Sequence, residues 1–269
     1  MNPKFLKAKG VLITGGASGF GRAVAYAFAE QGADIAIVDI NQKLLEDVSS
    51  KIRKQFKCKV IPISCDVSKS NEVQTMAKQV FQELENVYIL FNNAGIGNIY
   101  GPTLLRIKEE IFDLILNTNL RGQWLVTKYI AKKMKKQDFI PLAGKIICTA
   151  SIAGVKVNPK LCAYSISKAG VIAMMQMLAK ELAPRITVNA ISPGYHVTAI
   201  YKTYEAMKAT MDDGHVKTPL NRVGTINDVV NLMMFLASDK SDFITGHNFI
   251  VDGGIAEVGT AAHYLDSEF

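Results

Sequence analysis

The chain has 269 residues, 49% of them hydrophobic and 20% charged. That is the composition of a folded globular protein, and it excludes wholesale disorder, a collagen-like repeat and a highly charged tail. The formal charge is +7. The basic residues gather at Lys51, Arg53, Lys54, Lys57 and Lys59 and at Lys128, Lys132, Lys133, Lys135 and Lys136. Neither group brings a docking motif or stacking aromatics, so both read as solvated helix ends and not as a nucleic-acid surface. No apolar run approaches the roughly 18 residues of a membrane span, and residues 1–10 lack the apolar core of a signal peptide. Cys58, Cys65, Cys148 and Cys162 form no C-x-x-C pair, and His196, His215, His247 and His263 are scattered. The expectations are reduced thiols, no metal site, no nucleic-acid or membrane partner, and a cytoplasmic protein.

Seven short segments rich in β-branched residues are predicted as strands, at residues 11–14, 35–38, 60–64, 87–91, 145–149, 186–191 and 249–251. Helical periodicity occupies residues 22–31, 43–55, 72–84, 110–135, 164–182 and 225–237. Gly32 is placed to cap the first helix. Thr225, with Asp228 three residues on, opens the last. Alternating strands and helices imply parallel strands with crossover connections, and the near-continuous apolar strands imply helices on both faces. The expectation is one α/β domain over residues 1–269, a doubly wound seven-stranded parallel sheet. Residues 195–224 are too long for an ordinary connection and are predicted to form a substrate lid. Residues 255–269 form a C-terminal extension.

The first strand runs into Thr14, Gly15, Gly16, Ala17, Ser18, Gly19, Phe20 and Gly21, and a helix follows at once. Glycines allow the backbone to approach a pyrophosphate, and the helix N-terminus supplies free N–H groups and a favourable dipole. The strand–turn–helix context is what makes such a cluster informative. Asp39 falls at the end of the second strand, where a carboxylate can accept hydrogen bonds from an adenosine ribose. Tyr164 and Lys168 stand at i and i+4, on one helix face. An ammonium one turn away favours phenolate and lowers the tyrosine pKa from its ordinary ~10, which suits it to proton transfer with an alcohol or ketone.

Taken in order, the turn at residues 14–21, Asn92-Asn93-Ala94-Gly95, Tyr164-Ser165-Ile166-Ser167-Lys168 and Pro193-Gly194 resemble the short-chain dehydrogenase/reductase family. The resemblance spans essentially residues 11–254, and the form of the turn is similar to the single-domain branch. It implies a Rossmann-type fold and a catalytic tetrad of Asn119, Ser151, Tyr164 and Lys168. Ser151 would hydrogen-bond the substrate oxygen, and Asn119 would hold a water in a proton relay to Lys168. The resemblance also implies cofactor contacts at Gly15, Ser18, Gly19, Phe20, Gly21, Asp39, Ile40, Asp66, Val67, Asn93, Ala94, Gly95, Tyr164, Lys168, Pro193, Gly194 and Thr198. The alternative for Asn93 is a mainly structural role, tying neighbouring strands together. His196 departs from the aliphatic residue usual in relatives, and its side chain is expected to point to solvent. Members of this type are commonly tetramers, so a homotetramer is expected.

The resulting expectation is an NAD-dependent oxidoreductase of secondary alcohols and ketones. Asp39 would repel a 2′-phosphate, and Ser18 and Ile40 offer no cation to hold one. The alternatives are an NADPH-type 3-oxoacyl-carrier ketoreductase and a catalytically idle scaffold member. Ile152, Cys162 and Tyr195, with Val157, Met207 and Met211, are expected to wall the substrate site. Arg222 is expected to make a surface or subunit contact.

Overall fold

The computed structural model describes residues 4–97, 103–156, 158–197 and 204–260. Thr198 and Val157, singled out above, lie outside the described residues, as do residues 261–269 of the extension. The seven strands are β1 (Gly10–Thr14), β2 (Asp34–Asp39), β3 (Val60–Ser64), β4 (Ile89–Asn92), β5 (Gly144–Thr149), β6 (Ile186–Pro193) and β7 (Asn248–Val251). They form one sheet in the order β3-β2-β1-β4-β5-β6-β7, with every pairing parallel.

The helices that connect them are α1 (Gly19–Glu30), α2 (Gln42–Phe56), α3 (Ser70–Glu83), α4 (Glu109–Leu116), α5 (Gly122–Met134), α6 (Cys162–Leu182), α7 (Tyr204–Lys217), α8 (Ile226–Ala237) and the single-turn α9 (Ile255–Val258). Side chains alternate along a strand, so β1 sends Val11 and Ile13 to one face and Leu12 to the other. The first pair joins a core with Phe28 of α1, Ile52 of α2 and Met233 of α8. Leu12 joins the opposite core with Met76 of α3, Ile130 of α5 and Val171 of α6. Two buried faces are the reason the strands read as unbroken apolar runs.

Three predicted features are revised. The helix expected over residues 110–135 is two helices separated by a turn of π-helix at Asn117–Arg121. The segments on either side are each helical in pattern, and one inserted residue only shifts the phase of the apolar stripe, so the stretch read as a single helix. Residues 195–224 contain a fourteen-residue helix, α7. Its weak amphipathicity hid it: most of its described residues are exposed and do not join the core. His196 does not reach solvent: it is 5% exposed. The expected caps are present. Gly32 takes a left-handed φ of +87° after α1, and Thr225 and Asp228 form a capping box at α8.

Strand order reverses between β1 and β4, which diverge toward β2 and β5. That topological switch opens a crevice at the C-terminal ends of the strands, the usual ligand position in such sheets. The turn after β1 and the segment after β4 flank it. α6 is long and apolar enough to span a membrane by length and composition, but it packs against β6 and supplies Val171, Met175 and Ala179 to the core.

Candidate active site

The glycine-rich turn is shaped by close backbone approaches. Gly15 and Gly19 have φ of +63° and +52°, a region that favours glycine. A Cβ on Gly21 would lie 2.1 Å from the Gly15 carbonyl oxygen, and one on Gly16 would lie 2.4 Å from the Ile37 side chain. No smaller clearance is possible, so this turn tolerates only glycine at those places. At the start of α1, the Ser18 side chain makes no capping bond and the first turn carries no acidic residue. The first amides are thus left to an external anion, and the cradle fits a pyrophosphate.

Asp39 closes β2 beside this turn. Its Oδ2 accepts from the Ala17 amide at 3.1 Å and its Oδ1 from the Asn41 amide at 3.0 Å. Each oxygen keeps a lone-pair direction for a further donor. Ile40 is 71% exposed. After β3, the strand next to β2, Asp66 Oδ1 accepts from the Ser68 amide and hydroxyl. Burial opposes its charge, but those bonds and Lys69 outweigh it and hold the carboxyl below the usual range. Val67 is buried, with a Cβ on Gly122 reaching to 2.9 Å of its Cγ2.

Asn93 is a tie between strands. Its Nδ2 donates to the Thr14 and Gly15 carbonyls at 3.2 Å each, and its Oδ1 accepts from Thr149 Oγ1 at 3.2 Å. Thr14, which sequence reasoning passed over, completes the joint: its hydroxyl oxygen accepts from the Asn93 and Ala94 amides at 3.0 Å. Gly15 lies against Ala94, whose Cα would be 2.9 Å from an added Cβ. Small side chains are required on both walls of the crevice.

Asn119 sits on the π-turn, fully buried. Its Oδ1 accepts from the Ile96 amide at 2.8 Å, and its Nδ2 donates to the Ile96 carbonyl at 3.1 Å and to Ser167 Oγ at 3.3 Å. Ser167 in turn donates to the Tyr164 carbonyl at 2.7 Å. The turn's extra residue rotates Asn119 toward α6, which a regular helix of this length would not do. Gly95 lies between Asn119 and Lys168: a Cβ there would be 3.1 Å from Asn119 Oδ1 and 3.7 Å from Lys168 Nζ.

Lys168 Nζ donates to the Thr149 carbonyl at 2.8 Å and lies 5.6 Å from the centre of the Tyr164 ring. Burial pushes its pKa down to about 8. Cys148 stands nearby, but its own burial pushes the thiol up to about 12 and keeps it uncharged. The ammonium therefore has no buried anion beside it in this state, and a phenolate at Tyr164 would supply one. Ser151 follows β5 and is 9% exposed; its Oγ accepts from the Ala153 amide at 3.2 Å. The 3₁₀ turn it opens, Ile152–Gly154, packs on α6 so closely that a Cβ on Gly154 would be 2.6 Å from the Lys168 carbonyl carbon. That contact sets Ser151 against the Tyr164–Lys168 face.

Pro193 ends β6, and the Gly194 amide donates to the Val251 carbonyl at 2.9 Å. Tyr195 donates its hydroxyl to Asp213 Oδ2 on α7 at 2.8 Å. Cys162, the first residue of α6, and Ile152, in the 3₁₀ turn after β5, are both half-buried. Arg222 is on the surface and pairs with Asp228 at 2.8 Å. Among the described residues no group of three His, Cys, Asp or Glu side chains could hold a metal. Chemically, the crevice offers an anion cradle, a tyrosine with an adjacent lysine, and a hydroxyl donor on one wall. A nicotinamide cofactor bound there would supply the hydride.

Comparison with known proteins agrees with this geometry. The family model described as enoyl-(acyl carrier protein) reductase matches residues 15–256. The 3-oxoacyl-(acyl-carrier-protein) reductase FabG of Thermotoga maritima is 36% identical over 251 residues, 93% of this chain and 98% of the relative. A solved short-chain type dehydrogenase/reductase from Mycobacterium marinum superposes with a TM-score of 0.85 at 34% identity, over 94% of this chain and 97% of its own. An NAD+-bound xylitol dehydrogenase superposes with 0.82 at 30% identity, over 93% and 99%. On motifs, sheet order and these matches, the chain belongs to the short-chain dehydrogenase/reductase family.

Proposed function

We propose that the chain is an NAD(H)-linked oxidoreductase that reduces a 3-oxoacyl carbonyl or oxidises the matching secondary 3-hydroxyacyl alcohol. The observation that carries the chemistry is the convergence of Ser151, Tyr164, Lys168 and Asn119 on one end of the crevice through Gly95 and Gly154. In this reading Tyr164 donates the proton to the carbonyl oxygen, Lys168 stabilises the phenolate left behind, and Ser151 orients the oxygen. The acyl assignment is supported by the curated relatives, which carry the 3-oxoacyl reductase name at 33–36% identity. The sequence alone placed a simple alcohol or ketone first and the acyl-carrier reductase second; the relatives favour the reverse order.

The NAD preference rests on Asp39 at the ribose end of the crevice and on the absence of a cation at Ser18 and Ile40. A 2′-phosphate would meet a like charge there and lose charge-assisted hydrogen bonds of roughly 1.5–3 kcal/mol. The xylitol dehydrogenase, solved with NAD+, supports a second reading in which a polyol or cyclic ketone is the substrate. Assays of a short 3-oxoacyl thioester with NADH and NADPH, beside a polyol and ketone panel with NAD and NADH, separate the two. We expect thioester reduction with NADH favoured about a hundredfold in kcat/KM. Turnover confined to the panel would select the second reading, and no turnover in any arm would leave an idle family member. A cytoplasmic homotetramer acting without metal, nucleic acid or membrane remains part of the proposal. The support for the oligomer is the half-buried edge strand β7 and the fully exposed Phe243 a few residues before it.

A further inference from the structure

His196 is buried at the point where three segments around the crevice meet. Its Nδ1 lies 3.2 Å from the Gly194 carbonyl, so the neutral ring donates there and carries its lone pair on Nε2. Among the described residues, Nε2 has no hydrogen-bond partner. The ring stands edge-on to Phe20 of the glycine-rich turn, with centroids 5.4 Å apart at 77°. Its other edge presses on Gly224, where a Cβ would lie 2.2 Å from Nε2. His196 and Gly224 also pair as a short parallel bridge, and the Gly224 amide donates to the Tyr195 carbonyl at 2.8 Å. One side chain thus touches the turn that cradles the pyrophosphate, the segment that follows β6, and the return of the lid.

We propose that His196 is a positioning residue and a latch: as a neutral imidazole it clamps the lid return and the segment after β6 onto the glycine-rich turn, and on protonation it lets them part and weakens cofactor binding. This rests on the dinucleotide reading of the crevice and adds its regulation. Protonation would place an N–H on Nε2, aimed at the Gly224 backbone where no acceptor stands, and a charge between an aromatic ring and a packed glycine. Both are costly in a dry site. The charged groups around the ring offer little rescue. Asp228 on α8 favours the charge, but it is engaged by Arg222, which opposes it, and Asp252 after β7 favours it more weakly. Phe20 on α1 contributes no charge. Burial accordingly pushes the imidazole below its ordinary value.

The sign follows directly. A protein that binds cofactor only with the ring neutral must lose affinity as pH falls through the pKa of the free protein, by up to about tenfold per pH unit. Lys168, pushed down to about 8, stays protonated over the acid range in which the imidazole titrates.

The test has two arms. In the first, NADH binding is followed by fluorescence between pH 5 and 7.5. The unmodified protein is expected to weaken roughly tenfold toward pH 5, and His196→Leu, which fills the space without titrating, is expected to bind equally at both ends. A His196→Leu profile that falls in parallel with the unmodified protein would overturn the latch. In the second arm, which needs no variant to fold differently, NMR titration follows the imidazole signals with and without NADH. A His196 signal that titrates below the ordinary range and moves lower still with NADH supports the latch. Titration at the ordinary value of about 6.5, unmoved by NADH, overturns it. Failure of NADH to bind at pH 7.5 would instead reject the dinucleotide reading on which the latch stands.

Discussion

At the scale of single residues, the site divides into groups that do chemistry and groups that hold them. Tyr164→Phe removes the proton but leaves the ring, and is expected to lower turnover by about 10²-fold or more with NADH binding kept; stopped-flow reduction and fluorescence titration read the two quantities separately. Lys168 makes a sharper case, because its burial sets stability against function. The folded pKa of about 8 lies below the ordinary 10.5 of a free lysine. The cost of burying the ammonium is therefore present in full below about pH 8 and fades as pH rises toward 10.5. Lys168→Met should raise stability at pH 7, on the order of 1–3 kcal/mol, while abolishing turnover. The Thr149 carbonyl would not be orphaned, since Gln123 Nε2 also donates to it at 3.1 Å. Thermal unfolding at pH 7 and at pH 10 tests this, and an equal gain at both would refute the burial argument.

Asp39 belongs to the same scale. Asp39→Ala should shrink the NADH preference mainly by weakening NADH use, and adding Ile40→Arg should carry it toward NADPH. Steady-state kinetics with both cofactors measure the ratio.

At the scale of elements, turns and caps decide whether the residues arrive in place. The π-turn between α4 and α5 presents Asn119 to the Ile96 backbone and to Ser167. The end of the 195–224 segment is fixed by the capping box of α8 and by Arg222, which pairs with Asp228. Arg222, followed by the Thr225 amide and hydroxyl, holds the Asp228 carboxyl well below the usual carboxylate range. Its contribution is present above about pH 4 and is lost as pH falls through that depressed value. Thr225→Ala removes the hydroxyl that accepts from the Asp228 amide and donates to its carboxylate, and is expected to cost about 1 kcal/mol in urea unfolding at pH 7. The difference between Asp228→Asn and the unmodified protein should narrow in acid, measured by the same unfolding at pH 3.

At the scale of the whole molecule, the two apolar cores hold the sheet, and a buried ion pair fixes its far end. Lys145 of β5 is 1% exposed. It pairs with Asp242 at 2.6 Å and donates to the Ser238 carbonyl at 2.6 Å and Ser241 Oγ at 2.9 Å. This ties the end of α8 to the sheet, opposite the crevice. Asp242→Ala leaves a buried ammonium without its anion and should cost about 2–3 kcal/mol, whereas the Lys145→Met, Asp242→Ala double variant should recover most of it. Denaturant unfolding of the two variants gives the comparison. Sedimentation is expected to find a tetramer, and Phe243→Asp to weaken it; a monomer at micromolar concentration would remove that part of the proposal.

Much of this protein was determined by its sequence alone. The strands at residues 11–14, 35–38 and 145–149 are short, apolar and β-branched between helical stretches, which forces a parallel sheet covered on both sides. The glycines of the first turn, Asp39, and Tyr164 with Lys168 are informative because they act at short range: a turn, a strand end, one helix face. Tertiary structure decided what depends on distant neighbours. Asn119 is presented to Ser167 of α6 from a π-turn, and the one-residue phase shift of that turn is too local to separate two helices in the apolar pattern. The α7 helix carries no strong apolar stripe for the pattern to display. His196 was expected to reach solvent, and the ring is buried because Phe20, Gly194 and Gly224, far apart along the chain, close around it. Burial is a property of such packed neighbours, and no local spacing encodes it.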